Sequence, residues 1–108
     1  MAKQIKLKHE NKEYTLEFNR KSVETMEKQG FSLSEISDKP MSVLPNLFAG
    51  AFLMHHKFEK REVIDKIFNG VRNREALFST LVDMYNEPIV ALMSEPTDDE
   101  GNVEWTVQ

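Results

Sequence analysis

The chain has 108 residues, a formal net charge of −4, 40% hydrophobic residues and no cysteine. That length and apolar content supply one modest core, so a single domain is expected; the missing cysteines exclude a disulfide framework, a zinc–thiolate site and a thiol nucleophile, and suit a reducing cytosol. The acidic balance argues against binding driven by phosphate contacts, which needs Lys and Arg clustered on one face, so nucleic acid is not expected as a partner.

The opening residues MAKQIKLKHENK contain no apolar segment of the kind a secretion signal needs, so the chain is expected to stay in the cytoplasm. In residues 3–18 the apolar side chains Ile5, Leu7, Tyr14, Leu16 and Phe18 alternate with Lys6, Lys8, Thr15 and Glu17. A period of two predicts a β-hairpin with one apolar face, and HENK, with Asn11 able to turn left-handed, is its turn. Two strands alone are marginal in water, so helices must cover that face.

Asn19 reads as an N-cap and Gly30 as the terminating residue of a helix over about 20–29. Ser32 with Glu35 forms a capping-box pattern for a short helix over 33–38 that carries Leu33 and Ile36 and stops at Asp38-Lys39-Pro40. A third helix is expected over 43–57, starting at Ser42 or Leu44 with Pro45 in its first turn, where a missing N–H costs nothing. It contains LFAGAFLM, 47–54, the densest apolar run in the chain. A fourth helix over 60–69 carries Val63, Ile64, Ile67 and Phe68 and stops at Gly70. A fifth over 74–93, capped by Asn73, carries Leu77, Phe78, Leu81, Met84, Tyr85, Ile89, Leu92 and Met93, with Pro88 expected to kink or divide it.

The expected fold is thus α+β, mainly α: an N-terminal β-hairpin followed by four to five helices in one small domain, residues 1–93. Residues 94–108 carry five acids and no base. This acidic tail is either disordered or, because Val103, Trp105 and Val107 alternate, a short added strand.

The apolar run at 47–54 is too short for a membrane, since a spanning helix needs about 20 apolar residues and His55, His56 and Lys57 end it. His55 and His56 are adjacent and point about 100° apart on a helix, so they do not converge on a metal as an i, i+4 pair does; they read as the polar end of the helix. Glu59, Glu62 and Asp65 beside Lys60 and Arg61 read as a solvated helix face. No nucleophile elbow, phosphate loop or dinucleotide glycine motif occurs, so neither an enzyme nor a cofactor is expected.

What remains is binding. Methionines and seven Phe supply adaptable apolar material of the kind that lines helix-accepting grooves, although each such residue also serves as core. The 43–57 and 74–93 helices carry more apolar face than a two-stranded hairpin covers. The candidate protein-binding or self-association residues are Leu47, Phe48, Phe52, Leu53, Met54, Phe58, Ile67 and Phe68.

The stretches KEYTLEFNRKSVETMEKQGFSLSEI (12–36), PNLFAGAFLMHHKFEKREVIDKIFNGV (45–71) and LFSTLVDMYNEPIVALM (77–93) resemble the tail assembly chaperones of long-tailed, siphovirus-type bacteriophages and prophages. The likeness covers residues 5–93 and rests on element order: a strand pair ending in Y-T-L-x-F, a Gly-ended helix, a short capped helix, an apolar helix, a charged one and a final helix. Asn11 stands where such turns often have Gly. The resemblance implies a non-catalytic role in virion morphogenesis. Such a chaperone is made in the host cytoplasm, binds the helical tape measure protein, keeps it soluble until the tail tube forms, and is absent from the mature virion. In relatives a frameshifted longer form recruits tail tube protein. Two other readings stand beside it: a structural head–tail joining or neck protein, and a small host-directed regulatory binding protein.

Overall fold

Glu10 and Asn11 both adopt positive φ, 51° and 65°, and this pair of left-handed residues sets the register of everything N-terminal. A two-residue turn of this hand matches strand twist. It pairs β1 (Ile5–His9) antiparallel with β2 (Lys12–Leu16), placing Ile5 opposite Leu16 and Leu7 opposite Tyr14 on one face. The computed structural model describes residues 3–94 and 103–107. Among these the hairpin is followed by five α-helices and one 3₁₀ turn, a mainly helical α+β fold.

Helix α1 (Arg20–Lys28) starts with a reciprocal cap: Ser22 N donates to Asn19 Oδ1 at 2.7 Å, and Asn19 N donates to Ser22 Oγ at 2.9 Å. It ends at Gly30, whose φ of 90° lets Gly30 N reach Glu27 O and Phe31 N reach Met26 O, both at 3.0 Å. That is the left-handed stop in which the last carbonyls of the helix find donors. Leu33–Ile36 is a single 3₁₀ turn, shorter than the expected 33–38 helix, and Ser32 makes no side-chain cap bond.

The helix expected over 43–57 is two helices, α2 (Pro40–Gly50) and α3 (Leu53–His56). The interruption has a tertiary cause. The carbonyl of Ala51 accepts the Glu17 amide of the hairpin at 3.0 Å instead of continuing the helical ladder. Pro40, not Ser42 or Leu44, opens α2, because a proline suits the first position; Pro45 falls inside the helix. Helix α4 (Arg61–Gly70) ends with Val71 extended, so its stop is not a left-handed glycine. Arg74 bridges to α5 (Arg74–Met93), donating to the carbonyls of Asn69 and Val71 at 3.0 and 3.2 Å while its guanidinium lies over the Phe68 ring. Asn73, itself left-handed, makes no side-chain cap, and α5 runs through Pro88 without dividing. Residues 103–107 form neither strand nor helix, and residues 95–102 and 108 of the expected tail lie outside the described residues.

The core joins both halves. Leu16, Leu47, Phe48, Ala51, Phe52, Leu81 and Met84 are buried, with Tyr14, Phe18, Val23, Met26, Ile64, Ile67 and Tyr85 around them. A row of rings, Tyr14, Phe52, Phe48, Phe68 and Phe78, runs from hairpin to α5 with neighbouring centroids 5.2–5.7 Å apart. Tilted and edge contacts of this kind add to area burial.

Candidate protein-binding surface

Strand β2 has one edge against β1, and its other edge meets α3. The two-residue turn makes His9 and Lys12 the closing hydrogen-bonded pair, so the amides of Thr15 and Glu17 point outward. Thr15 N donates to His56 Nε2 at 3.0 Å, which puts the proton of that imidazole on Nδ1, while Glu17 N donates to the Ala51 carbonyl. The Glu17 side chain is buried, and its Oε1 bonds His55 Nε2 at 2.8 Å and Gln4 Nε2 at 2.7 Å. Those two bonds hold the carboxyl below its usual range against the opposing effect of burial. Glu59 Oε2 accepts from both Lys12 Nζ and Tyr14 Oη at 3.1 Å.

The two histidines form the polar last turn of α3, and both are engaged. Pointing apart, they grip Thr15 of β2 and Glu17, one residue past its end. Among the described residues no buried side-chain nitrogen or oxygen lacks a hydrogen-bond partner, and no group of three His, Asp or Glu is placed to hold a metal. Nor is any described helix long and apolar enough to cross a membrane. This cluster closes the fold.

The apolar candidates divide. Leu47, Phe48, Phe52 and Ile67 are buried, and no partner reaches them without opening the domain. Leu53 and Phe68 are half-buried against the core, Phe68 held between Phe48, Phe78 and Arg74. Met54 and Phe58 are exposed, Phe58 by 88%, beside the histidines; the Lys57 ammonium lies over the Phe58 ring, 5.0 Å from the centroid.

The larger exposed apolar surface lies on α5. Its core residues end at Tyr85, and every residue from Ile89 to Ser94 is exposed, including Val90 (63%), Leu92 (58%) and Met93 (86%). Pro88, Ala91 and Leu92 face Phe18, Asn19 and Arg20 across an open groove of about 560 Å³. A second depression of about 260 Å³ continues from it along α1, between Val23, Glu24 and Glu27 and the Pro88, Ile89 and Leu92 side. The floor is apolar and the rim is Arg20, Glu24, Glu27 and Glu87. Such a groove suits an amphipathic helix whose apolar ridge enters between α1 and α5 and whose flanking Lys or Arg meet the carboxylates.

Residue type does not distinguish Leu92 and Met93 from Phe48 and Phe52. One signal in the sequence does bear on it: the segment NEPIVALM is apolar around most of the helix circumference, more than one packed face requires. Comparison with known proteins matches residues 1–108 to a family described as a domain of unknown function, DUF5055. No curated protein and no solved structure matches the chain.

Proposed function

We propose that this chain, which belongs to the DUF5055 family, is a tail assembly chaperone of a long-tailed bacteriophage or prophage. In this reading it binds helical segments of the tape measure protein without catalysis and keeps them soluble in the host cytoplasm until the tail tube polymerises around them. The observation that supports it is the exposed apolar end of α5, Val90, Leu92 and Met93, lying beside the groove that α1 completes. A tape measure is a long series of amphipathic helices, and a shallow, open groove accepts many such segments without reading one sequence. Many weak contacts along one partner give avidity while each remains displaceable.

The test is co-expression with the tape measure protein of the same gene neighbourhood. The tape measure should move from the pellet to the soluble fraction and co-purify with this chain. If it is equally soluble alone, the reading is wrong. Mass spectrometry of purified virions should find the chain absent; its presence at stoichiometric levels would instead make it a joining or neck component.

A further inference from the structure

The two edges of the hairpin are unequal. The outer edge of β2 is occupied, because His56 and the Ala51 carbonyl take the Thr15 and Glu17 amides. On β1 the same alternation turns the amides of Lys6 and Lys8 outward, and among the described residues the sheet has no third strand to receive them. Ile5 and Leu7 share the apolar face with Tyr14 and Leu16, yet they are only half-buried where their partners are buried. An edge of this kind is a template for another strand.

The chain carries a segment that fits it. In residues 103–107 Val103, Trp105 and Val107 fall on one face of an extended strand and Glu104 on the other; those three apolar side chains are more than four-fifths exposed. Laid along β1, they extend the apolar face over Ile5 and Leu7, while Glu104 comes beside the ammonium groups of Lys6 and Lys8, an opposite-charge cross-strand arrangement. Among the described residues the segment forms no strand with its own hairpin.

We propose that residues 103–107 of one copy add as a third strand to the β1 edge of a second copy, and that reciprocal exchange closes a symmetric dimer. Main-chain hydrogen bonds supply the attraction and the alternating side chains fix the register. Because each copy both donates and receives, the assembly ends at two rather than growing into a fibre. This surface is separate from the α1–α5 groove and does not depend on the function proposed above.

Trp105 is the single tryptophan, which makes the full-length protein its own probe. Sedimentation over a concentration series should show a monomer–dimer equilibrium, with Trp105 emission shifting to the blue and becoming shielded from acrylamide as dimer forms. Lys6→Pro removes one outward amide without touching the β1–β2 ladder, a position where an edge strand tolerates proline. It should weaken dimerisation at least about tenfold and leave Trp105 open to quencher, with the circular dichroism of a folded chain. Three results would each overturn the proposal: a monomer at every concentration, a dimer with Trp105 fully quenchable, or Trp105 shielded in the monomer. If Lys6→Pro does not fold, amide exchange in the unmodified chain decides: Lys6 and Lys8 should exchange more slowly in the dimer than after dilution to monomer, and equal rates end the idea.

Discussion

His56 Nε2 accepts the Thr15 amide hydrogen at 3.0 Å, and that bond ties α3 to the outer edge of β2. It exists only while the imidazole is neutral. Burial, then the neighbouring His55 and Lys12, push the His56 pKa below its ordinary 6.5, with Glu59 opposing. The unfolded imidazole thus takes up a proton more readily than the folded one. The stability contributed by His56 is complete above about pH 6.5 and is lost as the pH falls below it. Glu17 and Glu59 are held below their usual 4.5, by His55 and Gln4 in one case and by Lys12 and Tyr14 in the other, so their contributions are lost only at more acid pH. Melting temperature should fall in two stages, first below neutrality and again below about pH 4.5. His56→Leu should abolish the first stage and, at pH 8, cost about 1 kcal/mol for the lost bond, roughly 4–8 °C. An unchanged pH profile in that variant would assign the first stage elsewhere.

Gly50 is the last residue of α2 and lies against the Met26 thioether of α1, and a Cβ added there meets the Met26 side chain. Helix propensity alone favours Ala by at most about 1 kcal/mol at this last helical position, so the sign of Gly50→Ala separates propensity from packing. Met26 is a core residue, 3% exposed, but the atoms in the way are the flexible end of its side chain, and Met26 and Gly50 both line an open cleft of about 360 Å³. Gly50→Ala should therefore move stability by no more than about 1 kcal/mol in urea unfolding, the gain in helix propensity offset by the shift of the thioether, and Met26→Ala in the same chain should cost less than it does alone. A loss of about 2 kcal/mol or more would show instead that the thioether is held in place.

The ends of α1 predict a matched pair. Gly30 at φ 90° has nothing within 4 Å of an added Cβ, so Gly30→Ala meets backbone strain without steric collision. It should cost about 1 kcal/mol, and Gly30→Asn less, since Asn tolerates the left-handed region. Asn19→Ala removes the acceptor for Ser22 N and should cost a similar amount. Thermal melts of the three variants check the ranking; equal losses for Ala and Asn at position 30 would place the cost elsewhere.

These local devices were legible because each is contained in four or five residues: the Glu10-Asn11 turn, the Asn19 cap, the Gly30 stop and the alternation that puts Ile5, Leu7, Tyr14 and Leu16 on one face. The division of the 43–57 helix was not, because the donor that claims the Ala51 carbonyl is Glu17, 34 residues earlier in the chain. The histidine pair is the polar last turn of α3, as its sequence suggests, but its partners are not legible there: nothing near positions 55 and 56 names Thr15 and Glu17. Pro88 removes one N–H but does not compel a break, and α5 continues on the bonds to either side. The binding candidates mixed core with surface because hydrophobicity marks residues that avoid water, while exposure depends on which helix has a neighbour.

That distinction yields the most discriminating prediction. Phe52 is 1% exposed between Tyr14 and Phe48, so Phe52→Asp puts an unpaired charge into the ring row. The expected loss is at least about 3–5 kcal/mol, a large share of the roughly 5–15 kcal/mol that holds a domain together, and the chain should be largely unfolded. Leu92→Asp and Val90→Asp place the same charge on the solvent side of α5, where substitutions move stability by about 0.5 kcal/mol or less. Both should keep the native circular dichroism spectrum and melting curve, and on the proposed function Leu92→Asp, which stands in the groove, should fail to hold the tape measure protein in solution. At position 92, which lines the groove, the carboxylate joins Glu24, Glu27 and Glu87, so it also raises the desolvation cost of an apolar helix entering there. Phe58→Asp, on the exposed side near the histidines, serves as the contrast: it should fold and still solubilise the partner. If Phe58→Asp loses the partner and Leu92→Asp keeps it, the binding face lies beside α3 rather than between α1 and α5.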